Sequence, residues 1–164
     1  MPDALDPEPL LKYLHEREVE HIVVGGFAVN AHGVIRVTKD LDIVPNPAEK
    51  NLARLAEALR DLDATILDAG DFESEEMPAD PTQTADLMLG GNFYLETSLG
   101  RLDVMQWLSG VDTDDLYAEF EPEAIQGILD GVPVRVCGLD HLRAMKQAAG
   151  RPQDLEDLKR LGTS

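Results

Sequence analysis

The sequence predicts an α/β fold. Strand-like and helix-like segments alternate along the chain from residue 9 to residue 161. One of them, Val23-Val24-Gly25-Gly26, is an apolar run ending in two glycines. That pattern suits a strand turning sharply into a helix, with backbone N–H groups left free to meet an anion. Fourteen residues after Gly26 comes Asp40-Leu41-Asp42-Ile43. Its period of two aims both carboxylates at one face of a strand and Leu41 and Ile43 at the other.

The elements follow in order. Residues 9–17 read as a helix with Leu10, Leu11 and Leu14 on one face and Pro9 in the first turn, where a missing N–H is tolerated. Residues 21–24 are the first strand, 26–32 a short helix ended by Gly33, and 40–44 the second strand, stopped by Pro45-Asn46-Pro47. Leu52, Leu55, Ala56 and Leu59 mark 48–60 as an amphipathic helix, followed by a strand over 64–67. Residues 68–81 are acidic and poor in apolar side chains, as expected of a surface loop. Two hairpins come next, 92–97 with 102–107 around Gly100 and 125–129 with 132–136 around Asp130-Gly131. Helices over 139–149 and 153–161, split by Gly150-Arg151-Pro152, close the chain.

The D-x-D pattern occurs three times, and context separates the copies. Asp61-Leu62-Asp63 is the polar end of the amphipathic helix. Asp112-Thr113-Asp114-Asp115 reads as a helix start, where carboxylates meet the positive end of the dipole. Only Asp40-Leu41-Asp42 is flanked by apolar residues and preceded by a glycine pair. Two hard oxygen ligands on one face suit magnesium, whereas the same pair at an exposed strand end would simply be solvated. Asp103, between Leu102 and Val104, is costly to bury inside a strand unless it binds something. Placed beside Asp40 and Asp42 it would complete a set of three mutually repelling carboxylates, which a divalent ion would neutralise.

Composition narrows the setting. With 164 residues and 43% hydrophobic content, the chain is expected to fold as one domain, a core over about 20–137 with helices over about 139–161. A single cysteine, Cys137, excludes an internal disulfide framework and fits a reducing cytoplasm. No apolar run reaches membrane-spanning length, and the acidic N-terminus lacks the pattern of a signal peptide. A net charge of -18 opposes broad attraction to nucleic acid, although Arg36, Lys39, Arg101, Lys146 and Arg151 offer a local basic rim.

Gly25-Gly26, Asp40-Leu41-Asp42 and Asp103 together resemble the polymerase-beta-type nucleotidyltransferase superfamily. The block from Val24 to Val29, the stretch from Arg36 to Asp42 and the tail from Leu142 to Leu158 are similar to bacterial nucleotidyltransferases related to abortive-infection toxins. The resemblance implies a mixed central sheet flanked by helices. It implies transfer of a nucleoside monophosphate from a nucleoside triphosphate to a hydroxyl acceptor in RNA, protein or a small molecule. Asp40, Asp42 and Asp103 would be catalytic and hold magnesium or manganese, with Asp103 deprotonating the acceptor. Gly25, Gly26, Arg36, Thr38, Lys39 and Lys146 would meet the nucleotide, and Lys146 and Arg151 with Asp154 and Asp157 match that group's nucleotide-lining motif. Many relatives carry Gly-Ser where this chain has Gly25-Gly26, so no hydroxyl is available there.

Other residues attract simpler readings. Arg36, Thr38 and Lys39 would meet phosphate or only balance the nearby aspartates. The tail ion pairs would equally suit an ordinary helical salt-bridge face. His32 fits a helix end, and His15, His21 and His141 fit structural or exposed positions. Trp107, Phe93 and Tyr94 would stack a base or, as strand residues, join the core. Without Cys/His ligand spacing a zinc site is not expected. Two alternatives to an active transferase stand beside it. One is a regulatory module acting through a cognate toxin or antitoxin partner; the other is a nucleotide-binding relic without turnover.

Overall fold

A computed structural model describes residues 4–67 and 79–162. The expected acidic loop over 68–81 therefore lies largely outside the described residues. Among the described residues seven α-helices and seven strands follow in order: α1 (Glu8–Glu16), β1 (His21–Val24), α2 (Gly25–Ala31), β2 (Asp40–Pro45), α3 (Glu49–Asp61), β3 (Thr65–Ile66), α4 (Thr84–Leu87), β4 (Phe93–Thr97), β5 (Gly100–Val104), α5 (Leu116–Phe120), β6 (Ile125–Leu129), β7 (Val132–Val136), α6 (Leu139–Ala149) and α7 (Pro152–Leu161). The strands form one mixed sheet in the order β3-β4-β5-β2-β1-β7-β6. β2 runs antiparallel to β1 and parallel to β5, β1 runs parallel to β7, and β3, β4, β5 and β6, β7 are joined as antiparallel neighbours.

The sheet alternates as strand geometry requires. Leu41, Ile43, Leu95, Leu102 and Val104 are fully buried on the face that packs into the core. Leu10 and Leu14 of α1 and Leu52, Leu55, Ala56 and Leu59 of α3 share that core. Removing each leucine side chain from water contributes about 1.5–3 kcal/mol, which anchors these amphipathic helices more firmly than helix propensity does. The opposite face of β2 and β5 carries the aspartates.

Several expected boundaries shift. The strand expected over 64–67 is only Thr65–Ile66, and the one expected over 102–107 is Gly100–Val104. Met105 N still donates to Ile43 O, but Gln106 N and Trp107 N both donate to Asn92 Oδ1, so a side chain takes the backbone over from the sheet. Asp115 starts α5 as expected, accepting from Ala118 N at 3.0 Å. The four-residue α4 has no side-chain cap and was not expected. Gly150, at φ +62°, ends α6 in the left-handed conformation and Pro152 opens α7. No described helix is long and apolar enough to cross a membrane.

Candidate active site

A carboxylate row crosses the face of the sheet that lines the cleft. Asp42 of β2 is the register partner of Asp103 on β5, and Asp103 in turn lies opposite Tyr94 on β4. Directly opposed residues share a face, so the two carboxylates and the phenol ring stand side by side. Asp40 precedes Asp42 on the same face and pairs in register with Arg101. One oxygen from each of Asp40, Asp42 and Asp103 lies within 4.8 Å of the others. The three expected carboxylates are therefore brought together.

Burial makes this cluster electrostatically tense. Asp103 is buried, and loss of water, carboxyl sharing with Asp40 and the charge of Asp42 push its pKa up to about 9. Burial and the charge of Asp40 raise Asp42 to about 7, against the opposing pull of Asp103, Lys146 and Arg101. Arg101 relieves part of the repulsion, its guanidinium lying 3.7 Å from Asp40 and 3.9 Å from Asp103. Asp103 Oδ1 is buried without a hydrogen-bond partner. A buried carboxylate oxygen without a hydrogen bond, among three hard acidic donors, fits a divalent cation of the magnesium type.

The glycine pair makes room for side chains. Gly25 has φ +71°, and a Cβ there would lie 1.8 Å from Asp42 Oδ2. A Cβ on Gly26 would lie 2.6 Å from Thr38 Cγ2 and 2.9 Å from its Oγ1. Thr38 thus fills the space that a side chain at position 26 would need, and both glycines still line the cleft. Asn30 of α2 organises the approach to β2: its amide donates to Val34 O and Arg36 O, and its carbonyl accepts from Thr38 Oγ1 at 3.3 Å. Burial alternates through this stretch, turning Arg36 and Thr38 inward and Val37 and Lys39 outward. Lys39, expected to meet the nucleotide, is exposed and does not line the cleft, because its position falls on the outward side of that alternation.

The opposite wall is cationic. Arg36, Lys146 and Arg151 line the cleft of about 460 Å³. Lys146 is 7% exposed, with Nζ 3.1 Å from both Asp154 Oδ1 and Asp157 Oδ2. Asp157, fully buried, also receives Arg36, while Asp154 takes Arg151 Nε at 2.7 Å and the Arg151 backbone N–H at 3.2 Å. Burial alone would raise Asp154, but hydrogen bonds from Arg151 and Lys146 hold it below the ordinary carboxylate value. The tail pairs thus form a buried network that ties α6 and α7 to the loop before β2, and only Arg151 keeps the exposed character of a surface face. His32 donates from Nε2 to Cys137 O at 2.9 Å, a structural link at the end of α2.

Three features of the site carry only weak signals in the sequence. Arg101 belongs with the carboxylates and not with a basic rim, as its position two residues before Asp103 on the same strand face signals. Phe93 is core, but Tyr94 and Trp107 are 47% and 59% exposed and line the cleft. Asn30 carries no sequence signal beyond its place at a helix end.

No protein-family profile and no curated protein matches this chain in sequence. Its fold, however, a mixed sheet flanked by helices as the resemblance implied, is shared with solved nucleotidyltransferases. The lincosamide antibiotic adenylyltransferase LnuA, solved with lincomycin bound, superimposes with a TM-score of 0.62 at 14% identity, over 96% of this chain and 97% of LnuA. The antibiotic-resistance factor ANT(2'')-Ia in solution gives 0.55 at 18% identity, over 94% of this chain and 78% of its own. ANT(2'')-Ia in complex with adenylyl-2''-tobramycin gives 0.54 at 20% identity, covering 94% and 83%.

Proposed function

We propose that this chain is a metal-dependent nucleotidyltransferase that moves a nucleoside monophosphate from a nucleoside triphosphate to a hydroxyl acceptor. The observation that carries the reading is the Asp40, Asp42 and Asp103 cluster, one oxygen of each within 4.8 Å of the others, facing a cleft lined on its far side by Arg36, Lys146 and Arg151. Asp40, Asp42 and Asp103 would hold magnesium or manganese, which when bound supplies positive charge against the triphosphate. Arg36, Lys146, Arg151 and the Thr38 hydroxyl hold and orient the phosphates, and Gly25 and Gly26 keep that floor free of side chains. Asp103, its own proton displaced when the cation binds, would take the proton of the acceptor hydroxyl. The acceptor oxygen bonds to the α-phosphorus, the bond from that phosphorus to the bridging oxygen breaks, and pyrophosphate leaves. Positioning and charge neutralisation supply most of the catalysis.

The acceptor types solved with the fold neighbours, lincomycin and tobramycin, support a small hydroxylic acceptor over RNA or protein. Residues 1–164 act as one unit, and the buried free thiol of Cys137 supports a cytoplasmic setting. The test is transfer of label from an α-labelled nucleoside triphosphate in magnesium or manganese. Transfer by the wild type and its loss in Asp42→Asn are expected; no triphosphate binding with metal present would sink the proposal.

One observation favours a second reading. Among the described residues, Arg36, Lys146 and Arg151 of the cleft are each already paired with a carboxylate. A nucleotide that must compete with those pairs binds weakly, and the chain would then act as a regulatory module through a cognate toxin or antitoxin. Its sign would be stable association with such a partner without label transfer.

A further inference from the structure

The cleft has two walls of opposite chemistry, with the carboxylates between them. One wall holds Arg36, Lys146 and Arg151. The other is formed by Asn92, Tyr94, Met105, Trp107 and Leu108 and carries no charge. Its aromatic rings are presented to solvent on fixed backbone. Tyr94 lies in the middle of β4, directly opposite Asp103. Trp107 follows the end of β5, where Asn92 accepts from Trp107 N and donates to Trp107 O, both at 2.9 Å. Gln106 secures the same turn by donating from Nε2 to Leu87 O and Gly91 O, each at 3.0 Å. Large aromatic side chains held half-exposed on pinned backbone, inside a cleft, suit a ligand with an apolar or ring-bearing face.

We infer that the Tyr94–Trp107 wall is the acceptor subsite, and that the acceptor is a small hydroxylic molecule with an uncharged or cationic ring body. The inference rests on the nucleotidyl-transfer reading above and adds the acceptor's ring body and its seat. Two observations select this occupant. An acceptor hydroxyl that gives its proton to Asp103 has Tyr94 as its immediate neighbour, whereas the triphosphate is drawn to the cationic wall. A polyanionic acceptor would meet no cation on the aromatic wall, would face the three carboxylates, and would approach a chain of net charge -18. A neutral or cationic ring stacks on Tyr94 and Trp107 without that repulsion.

Trp107 is the chain's single tryptophan, so its fluorescence reports this wall directly. The full chain is titrated in magnesium, with and without a non-hydrolysable ATP analogue, using lincomycin, tobramycin, simple aryl glycosides and a single-stranded RNA oligonucleotide. At least one small molecule is expected to change the emission saturably, and RNA is not. Tyr94→Ala, checked for folding by circular dichroism, is expected to weaken that small molecule about tenfold while leaving the affinity for the ATP analogue unchanged. The inference is overturned if only RNA saturates the signal, if none of the probes does while the ATP analogue binds, or if Tyr94→Ala weakens the ATP analogue in place of the acceptor. Failure of the wild type to bind the ATP analogue at all, with small molecules still saturating Trp107, would leave this wall a ring-binding site and remove the transfer reading alone.

Discussion

Gly25 and Asp42 occupy one another's space: a methyl group on Gly25 would lie 1.8 Å from the Asp42 carboxylate oxygen. The tight turn between β1 and α2 and the central acidic residue of β2 are therefore a single steric unit. The same holds one residue on, where Thr38 fills the place of a side chain on Gly26.

Gly25→Ala will be damaged twice. Its φ of +71° costs an alanine about 1–2 kcal/mol, and Asp42 must move aside. We expect activity to fall about 100-fold, as for a displaced catalytic group, with Tm lowered by about 2–8 °C. Label transfer and thermal melting measure both.

The raised acids set a pH dependence. Asp42 and Asp103 titrate near about 7 and about 9 in the folded chain, against about 3.9 when unfolded. Between those values the folded state holds more protons than the unfolded state, so stability falls as pH rises through the window. Tm should decline from about pH 5 to about pH 9, less so in magnesium, which replaces the protons. Asp103→Asn should flatten the profile; an unchanged slope would contradict the assignment.

Asp157 holds two cations at full burial. Asp157→Ala leaves Arg36 and Lys146 without it and should cost about 3–5 kcal/mol in urea unfolding. Lys146→Met in the wild-type background should cost less stability than this but should raise the apparent Kd for nucleoside triphosphate, separating the structural from the binding role of the network.

Cys137 is fully buried, and burial pushes its thiol up to about 12. It should resist thiol reagents in the native state and react promptly in denaturant, as followed by mass spectrometry.

What could be read in advance was local. The strand periodicity around Asp40 and Asp42, the lone Asp103 and the caps at Asp115 and Gly150 are signals confined to a few neighbouring residues. The partnership of Arg36 with Asp157 left none: the two stand 121 residues apart, and nothing near either one announces the other. The place of Trp107 was hidden for a different reason. The apolar run from Leu102 looked like one long strand, but Asn92 captures the backbone after Val104, and the tryptophan swings into the cleft in place of the core.

The link between the loop before β2 and the two final helices also orders events during synthesis. A nascent chain that has emerged only as far as Val136 already contains every strand of the sheet and all three carboxylates. It lacks the partners that hold Arg36, and Lys146 has not yet been made. Until α6 and α7 have been made, Arg36 lacks Asp157 and the aspartates have only Arg101 beside them, so the cationic wall is the last part of the cleft to form.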